Sequence, residues 1–285
     1  MDRSLYKIAN VNRMDPFLMT ITSGEDHWMY LSSTGCLTAG RKKAKHALFP
    51  YVTDDLLHRN AHFTGPVTVI RVKEDNKNLV WRPFSWYEES YETEQNLYKN
   101  SLGNTVLFEE INHSLGLTFI YEWQSSSKYG FIRKSRLVNH HSNMLNVELV
   151  DGLRNIMPAS VELRTQQEMS NLANAYKVSE YSPDSNCALF FMNALLMDSP
   201  EPGESLYSNL VWSYYNGNKI ISVSEADIDQ FANSGTLNGA HIIKGKPGCF
   251  LTKIEKNLEP EDEMYWYTVA DVNKTQSEIT HIISD

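Results

Sequence analysis

Short runs of alternating apolar and polar residues recur along most of this chain, and they constrain its fold more than any other feature. In the run LTFIYEW, the residues Leu117, Phe119, Tyr121 and Trp123 share one face, and LNVELV (145–150) repeats the pattern. Successive side chains of a strand point to opposite faces, so each run predicts an antiparallel strand with one covered face. Turn signals such as SSTG, HFTGP and YNGNK separate the runs.

The number of these runs predicts the fold class. More than a dozen occur without alternating helices, which is typical of a large sandwich or barrel. Because open sheets rarely exceed about ten strands, one domain of this size needs two long sheets. We therefore predict an all-β, two-layer antiparallel β-supersandwich with one or two short helices.

Two segments carry helical signals. The segment 160–176 has Val161, Arg164, Glu168 and Leu172 at near-helical steps, and Ser160 could cap it. The segment 224–235 fits better, because Ser224 can serve as the N-cap and Gly235 as the C-terminal stop. Both segments are predicted as short helices on the β framework.

Composition excludes several classes of partner. The chain of 285 residues has a net charge of −9, which disfavours nucleic acid and anionic membrane surfaces.

The sequence shows neither a signal peptide nor an apolar run of the roughly 20 residues that span a bilayer, so we expect a cytoplasmic protein. Cys36, Cys187 and Cys249 are far apart and are predicted to be buried thiols.

Motifs for metal, nucleotide and serine chemistry are missing from the sequence. Its nine histidines show no His-x-His spacing, and the neighbours His140 and His141 cannot both reach one metal from a strand. No glycine-rich phosphate loop and no G-x-S-x-G elbow occurs. We therefore predict no metal and no cofactor.

The stretch ALFPYVTDDLLH (47–58), called here the opening loop, contains two adjacent aspartates, Asp54 and Asp55. On a strand these neighbours would point to opposite faces, whereas the carboxylates of a glycosidase lie roughly 5–10 Å apart on facing surfaces. The pattern favours a solvated turn with a helix N-cap. Hydrogen bonds that frame a sugar are the main alternative, ahead of an acid pair or a metal site.

A second stretch, WRPFSWYEESYE (81–92), brings Trp81 and Trp86 close to Glu88 and Glu89. Sugar rings have apolar C–H faces and a hydroxyl rim, so they suit aromatic platforms flanked by carboxylates. Core aromatics next to a solvated acidic turn are the alternative interpretation of the same residues.

The order of four segments resembles the N-terminal domain of cellobiose and chitobiose phosphorylases and their relatives. The segments are HWMYLSSTGCLTAGRKKAKHALFPYVTDDLLH, NLVWRPFSWY, GLTFIYEWQSSSKYGFIRKSRLVNHHSNMLNVELVDGL and GCFLTKIEKNLEPEDEMYWYTVADV. In the first segment, the residues at the family's motif positions are Arg41, Leu48, Pro50, Tyr51 and Asp54, and in the second they are Trp81, Arg82 and Pro83. Tyr51 stands where the family has Trp, and Thr53 where it has Asn. The clearest likeness is to large uncharacterised phosphorylase-like proteins.

This resemblance implies a galactose mutarotase-like supersandwich over residues 1–272 and the start of a linker helix at 273–285. In the family, that helix leads to an (α/α)6 barrel that carries the catalytic aspartate and the phosphate-binding groups. The resemblance thus implies that this chain alone is inactive and has no catalytic residue of its own. Its expected partners are saccharide, the barrel of the same protein and a second copy of the chain.

Our leading hypothesis is a non-catalytic domain of a glycoside phosphorylase- or hydrolase-like enzyme, which packs on the barrel and frames a saccharide with its loops. The residues predicted to contact saccharide are Arg41, Tyr51, Asp54, Asp55, Trp81 and Trp86. The opening loop is expected at an end of the sandwich, outside its core. An internal ion pair that buries both Arg41 and Asp54 would count against this role.

Three alternatives stay open. A mutarotase-like sugar epimerase needs a Glu base and a His acid that converge, and residues such as His113 and Glu122 are candidates. A stand-alone carbohydrate-binding module would bind oligosaccharides as an isolated chain. A purely structural scaffold would expose an apolar patch for a missing partner.

Overall fold

A computed structural model describes residues 4–53, 55–74, 77–85, 91–194 and 205–284 of the chain. The strands run in chain order as β1 Leu5–Ile8, β2 Leu18–Ile21, β3 His27–Ser32, β4 Leu37–Arg41, β5 Ala47–Phe49, β6 Gly65–Glu74, β7 Lys77–Trp81, β8 Thr93–Asn100, β9 Val106–Asn112, β10 Leu117–Ser126, β11 Gly130–Asn139, β12 Leu145–Ile156, β13 Lys177–Ser182, β14 Cys187–Met192, β15 Tyr207–Tyr214, β16 Lys219–Ser222, β17 Ile242–Lys244, β18 Gly248–Leu258 and β19 Glu263–Thr275. The α-helices are α1 Asp55–Arg59, α2 Leu163–Glu168, α3 Ser170–Tyr176, α4 Ala226–Ser234 and α5 Gln276–Ser284. Short 3-10 turns lie at Val11–Arg13, Ala44–His46 and Asn60–His62.

The strands form three antiparallel sheets. The large sheet has ten strands in the order β1-β8-β9-β10-β11-β19-β15-β14-β13-β17. The middle sheet has the order β16-β18-β12-β6-β7, and the small sheet has the order β2-β3-β4-β5. Apolar residues of all three sheets meet in one core, for example Met29 of the small sheet, Val147 of the middle sheet and Phe119 of the large sheet. The predicted all-β antiparallel class is therefore confirmed.

The last strand of the chain lies inside the large sheet. β19 pairs with β11 on one side, where Trp266 is opposite Ser135, and with β15 on the other, where Val269 is opposite Trp212. The strands on the β11 side come from the first half of the chain, and those on the β15 side come from the second half. β19 therefore joins two blocks of strands that do not pair with each other in the described part of the chain.

The middle sheet is covered on both faces. On β12, Leu149 points into the main core, whereas its neighbour Val150 packs in a second cluster with Ile228 and Phe231 of α4. Because both faces of the middle sheet are covered, β12 is buried along most of its length and lacks the alternation seen in other strands. This cover by α4 also brings the beginning of that helix to the edge of the sheet.

The helical predictions are confirmed in part. α4 ends at Gly235, which adopts φ 76°, and Ile228 and Phe231 form its buried side as predicted. Ser224 makes no side-chain cap, because the residue at the N-cap is Glu225. The predicted helix at 160–176 is broken into α2 and α3 at Met169, and Ser160 does not cap it, because its hydroxyl bonds Asn273 Oδ1 over 2.7 Å. The described residues form five α-helices, more than the one or two predicted for the fold, and α5 falls within the segment 273–285 expected to begin a linker helix.

The three cysteines are free and buried, as predicted. Burial raises the pKa of the Cys36 and Cys187 thiols to about 12. Among the described residues, none of the helices combines the length and the apolar composition that crossing a bilayer requires.

Candidate functional site

A cleft of about 370 Å³ lies where several segments of the chain meet. They include the turn at Thr34 and Gly35, Ala61–Phe63 after the opening loop, the beginning of β6, the segment 82–85 after β7, and the residues around the start of α4. Ligand sites of small molecules are concave and of this order of size, so the cleft is the candidate functional site.

Charged side chains of both signs line the cleft. Arg82 Nη2 lies 3.3 Å from Asp229 Oδ1 at the surface. Arg154 is more deeply placed, and its Nη2 donates a hydrogen bond to the carbonyl oxygen of Ala61 over 3.2 Å. Burial lowers the pKa of the Arg154 guanidinium, and the negative charge of Glu225 opposes that shift. The cleft thus offers guanidinium donors and carboxylate acceptors to one ligand.

Two phenylalanines of the cleft differ in exposure. Phe63 is 66% exposed and follows the turn that ends at His62. Phe84 instead points into the core, where its ring meets Phe108 edge-on at 5.9 Å and Tyr121 at 5.3 Å. Phe63 is therefore the ring that a ligand entering the cleft could contact, whereas Phe84 fixes the segment that carries it.

The segment 82–85, called here the strap, is held by one buried carboxylate. Glu110 accepts hydrogen bonds from Trp81 Nε1 over 2.8 Å and from the backbone amide of Phe84 over 2.6 Å. It also accepts one from Gln95 Nε2 over 2.8 Å. Burial raises the pKa of Glu110, and these three donors oppose the shift. Phe84 has φ 59°, a left-handed conformation that is rare for a bulky residue and that this anchoring maintains.

A buried ion pair supports the inner wall. Asp151 accepts two hydrogen bonds from Arg133 Nη1, at 2.8 and 2.7 Å, and one from Thr68 Oγ1 at 2.7 Å. The guanidinium carbon of Arg133 lies 4.4 Å from the centre of the Tyr121 ring. Since Thr68 and Tyr121 both line the cleft, the pair determines the position of two of its residues.

The two acidic groups of the cleft lie on the same helix turn. Glu225 and Asp229 are four residues apart around the first turn of α4, so they project from one side of one helix. The two carboxyl groups of a glycosidase flank the scissile bond. Within the described ranges, no group of three His, Cys, Asp or Glu residues could hold a metal ion. The geometry is suited to binding through hydrogen bonds.

Arg41, a predicted saccharide contact, is engaged in ion pairs. Its Nε lies 2.6 Å from Asp26 Oδ1, and its Nη1 lies 3.2 Å from Asp271 Oδ1. Lys274 Nζ pairs with the same Asp271 at 2.9 Å. These contacts join the small sheet to β19 in the large sheet, and they place Arg41 apart from the described lining of the cleft.

The opening loop is divided between the core and the surface. Its first part, the apolar triplet Ala47–Phe49, is the buried strand β5, so this part of the opening loop lies in the core. Tyr51 is half-buried, with its ring edge-on to Trp28 at 5.4 Å. Helix α1 begins at Asp55, as the helix-start interpretation predicted. Asp54 and the side chain of Asp55 lie outside the described residues.

Trp81 cannot serve as a sugar platform in this structure, and that prediction is corrected. Its side chain is fully buried at the end of β7, because the ring belongs to the main core and its Nε1 bonds Glu110. A ring without an exposed face cannot stack on a ligand. Trp86 lies outside the described residues, and its predicted role stays a prediction.

The sequence nevertheless indicated the correct neighbourhood. Arg82 directly follows Trp81, and Phe63 lies five residues after the opening loop ends. Sequence analysis missed Phe63, Arg154, Glu225 and Asp229. The aromatic residue within the turn signal HFTGP and the acidic i, i+4 spacing before Phe231 were the available signals, whereas nothing in the strand-like surroundings of Arg154 distinguished it.

The epimerase candidates His113 and Glu122 do not converge. Glu122 is paired with Leu107 on β9, and His113 lies six residues after Leu107. Six residues of extended chain span about 20 Å, so the two side chains are far apart. His113 Nε2 lies 3.9 Å from Glu94, and Glu122 accepts a hydrogen bond from Gln124 over 3.1 Å. A shared acid and base role of these two residues has no geometric support.

No protein-family model matches the sequence, and no curated protein sequence matches it either. Solved structures do match at the level of architecture. The GalM/aldose epimerase homologue from C. elegans is 10% identical, with 92% of this chain and all of that chain covered and a TM-score of 0.48. A bacterial glucoamylase in complex with acarbose is 9% identical, with 99% of this chain covered and a TM-score of 0.42.

The heparan sulfate lyase HepC from Pedobacter heparinus is 10% identical, with 88% of this chain covered and a TM-score of 0.39. The chain spans about a third of the length of the lyase and of the glucoamylase, with 33% and 37% covered. At these identities and scores, the matches assign neither a substrate nor an activity to this chain.

Proposed function

We propose that this chain is a carbohydrate-binding β-supersandwich domain that has no catalytic residue of its own and that works beside a helical catalytic barrel. The observation that carries the proposal is the cleft, in which Arg82, Arg154, Glu225 and Asp229 surround a space next to the exposed ring of Phe63. Sugar hydroxyls both donate and accept hydrogen bonds. A neutral sugar therefore matches a cleft that presents both charges and one apolar ring.

The balance of charges in the cleft favours a neutral saccharide over an anionic ligand. The two guanidinium groups face two carboxylates, so the cleft has little net charge of its own, and the attraction of an anionic phosphate ester to the arginines would be offset by repulsion from Glu225 and Asp229. The overall charge of −9 adds to that repulsion. Neutral saccharides are accordingly the class that we propose.

The non-catalytic part of the proposal rests on the position of the acids. Glu225 and Asp229 reach a bound sugar from the same helix turn, whereas acid and base catalysis of glycosidic cleavage needs groups that flank the bond. In this proposal the catalytic groups come from the barrel, as in the glycoside phosphorylases and hydrolases that the sequence resembles.

Helix α5 supports the proposed barrel partner. Ile279, Ile282 and Ile283 occupy i, i+3 and i+4 positions, yet no described residue of α5 is buried, and Ile283 is 42% exposed. An apolar stripe at helical spacing is usually covered by a neighbour. We propose that the barrel, or a second copy of the chain, covers this stripe.

Calorimetric titration of the isolated chain with α-1,4- and β-1,4-linked gluco-oligosaccharides tests the binding function. We expect measurable binding, and we expect Arg82→Gln to weaken it about tenfold through the loss of one charge-assisted hydrogen bond. Arg136→Gln is the matched control, because Arg136 is 40% exposed and pairs with Glu263 at 3.0 Å, much as Arg82 is 33% exposed and pairs with Asp229. Absence of binding, or an equal loss in both variants, would refute the proposed site.

A stand-alone binding module is the second candidate. The described residues of this chain form a concave cleft, as a module that binds on its own would require. Affinity that does not change when the neighbouring catalytic domain is added in trans would favour the module. Affinity that rises on its addition would favour the domain of a larger enzyme.

A further inference from the structure

A second cavity adjoins the cleft on the other side of the strap. Its volume is also about 370 Å³, and its wall is formed by the chain around the 3-10 turn at Val11–Arg13, by Ser33 and by Gln95 of β8. The chemistry of this wall differs from that of the cleft, because its polar groups are amides and hydroxyls and its described lining contains no charged side chain.

The two cavities share part of their lining. Thr34, Phe84 and Ser85 border both of them, so the end of the strap forms the partition between the two spaces. A ligand that fills the cleft and crosses this partition enters the second cavity without leaving the surface of the protein. The arrangement describes two adjacent compartments of one groove.

Hydrogen bonds and ring packing hold the partition in place. The amide of Phe84 bonds Glu110 over 2.6 Å, its ring packs on Phe108, and the amide of Ser85 bonds the carbonyl oxygen of Arg82 over 3.1 Å. Gln95 ties the second cavity to the anchor of the strap, because it lines that cavity while its Nε2 donates a hydrogen bond to the same Glu110. The spacing between the compartments is therefore set by the fold.

We infer that the ligand of this groove is an oligosaccharide of at least two sugar units, with one unit in the cleft and the next in the second cavity. This inference rests on the proposed carbohydrate function and deepens it. The second cavity combines amide groups, at Asn12 and Gln95, with the apolar side chain of Met14, which is 51% exposed. Such a wall offers hydrogen bonds to hydroxyls and an apolar contact to the C–H face of a neutral sugar.

Titration of the chain with glucose and with the di-, tri- and tetrasaccharides of the α-1,4 and β-1,4 series tests the inference. We expect the affinity for one series to rise about tenfold between the monosaccharide and the trisaccharide, because the second compartment adds contacts. In the double variant Asn12→Ala/Met14→Ala, we expect most of that gain to be lost, so that the ratio of the two affinities approaches one.

Met144→Ala is the control, because Met144 is 50% exposed like Met14 but lines neither cavity. The outcomes separate the two proposals. Binding of glucose with no gain for longer ligands, or a gain that survives the double variant, overturns the oligosaccharide inference alone. Absence of binding at every length overturns the proposed function and the inference together.

Discussion

The carboxylate of Glu110 accepts a hydrogen bond from the backbone amide of Phe84, with 2.6 Å between Oε2 and the nitrogen. Glu110 is 2% exposed, and its other partners, Trp81 and Gln95, also donate hydrogen bonds to it. One acidic side chain of the large sheet therefore holds the strap that separates the two compartments. An amide at this position would present a donor where only acceptors fit.

We predict that Glu110→Gln lowers the free energy of unfolding by about 2–3 kcal/mol, because at least one buried donor loses its acceptor. The variant should also weaken saccharide binding, since the strap loses its anchor. Urea unfolding and calorimetric titration measure the two effects. Glu261→Gln serves as the control, because its side chain is 76% exposed and surface substitutions usually change stability by less than about 0.5 kcal/mol. An unchanged unfolding midpoint for Glu110→Gln would contradict the anchoring role.

Phe63→Ala tests the exposed ring of the cleft. Phe63 is 66% exposed, so its removal should leave stability nearly unchanged while lowering saccharide affinity about tenfold. Tyr6→Ala is a matched control, because Tyr6 is 67% exposed and is not part of the cleft's described lining. Equal affinities for Phe63→Ala and the unmodified chain would show that this ring does not contact the ligand.

The buried pair of Arg133 and Asp151 is expected to respond far more strongly than a surface pair. Both side chains are fully buried, so Asp151→Asn should lower the free energy of unfolding by about 3–5 kcal/mol because it leaves Arg133 uncompensated. The pair of Arg136 and Glu263, from the same strand β11 and its neighbour β19, is 40% and 50% exposed. Glu263→Gln should cost no more than about 1 kcal/mol. Comparable losses in the two variants would contradict the assignment.

The buried amine of Lys177 is predicted to make the free energy of unfolding rise with pH in the alkaline range. The residue is 6% exposed, its amine lies 4.0 Å from Met157 Sδ, and burial lowers its pKa to about 8 from 10.5. The folded state thus binds this proton less tightly than the unfolded chain. The penalty of about 3 kcal/mol is fully present below pH 8 and is relieved as pH rises from about 8 to 10.5.

Lys177→Met should therefore raise stability at pH 7 and remove this part of the pH dependence, which urea unfolding at pH 7, 8, 9 and 10 can measure. Lys244→Met is the control, because Lys244 is exposed on the neighbouring strand β17. A parallel pH profile for Lys177→Met and the unmodified chain would disprove the assignment.

Gly152 of β12 is predicted to tolerate no side chain. A Cβ at this position would overlap the backbone carbonyl oxygen of Phe250 in β18, and neither strand can move without disturbing the middle sheet. Gly152→Ala should therefore cost more than about 3 kcal/mol, as overpacking of a core does. Gly24→Ala, where a Cβ has open space, should be nearly neutral in the same thermal unfolding measurement.

The period of the apolar runs was sufficient to predict the fold class. It succeeded because alternation depends only on which face of a strand is covered, as with the buried positions Val106 and Phe108 of β9. The break between α2 and α3 at Met169 could not be predicted from the sequence. This region makes contacts with distant segments, such as the hydrogen bond from the amide of Tyr51 to Gln166 Oε1.

The candidate site was predictable only as a neighbourhood. Trp81 looked like a platform because sequence alone cannot distinguish an exposed ring from one that bonds a buried carboxylate 29 residues away. Arg41 is likewise paired with Asp271, 230 residues later in the chain. The cleft is formed by residues from Thr34 to Asp229, and such long-range proximity is created by folding and is not encoded in any local motif.

The place of β19 between β11 and β15 has a consequence for biosynthesis. During synthesis, the hairpins of the β11 block can form early. The strand that joins the two blocks, β19, cannot pair until residues 263–275 have left the ribosome. Pairings this distant in sequence are slow to form. Until then both inner edges are open to neighbouring nascent chains, so yield in the cell should depend on how quickly translation delivers β19.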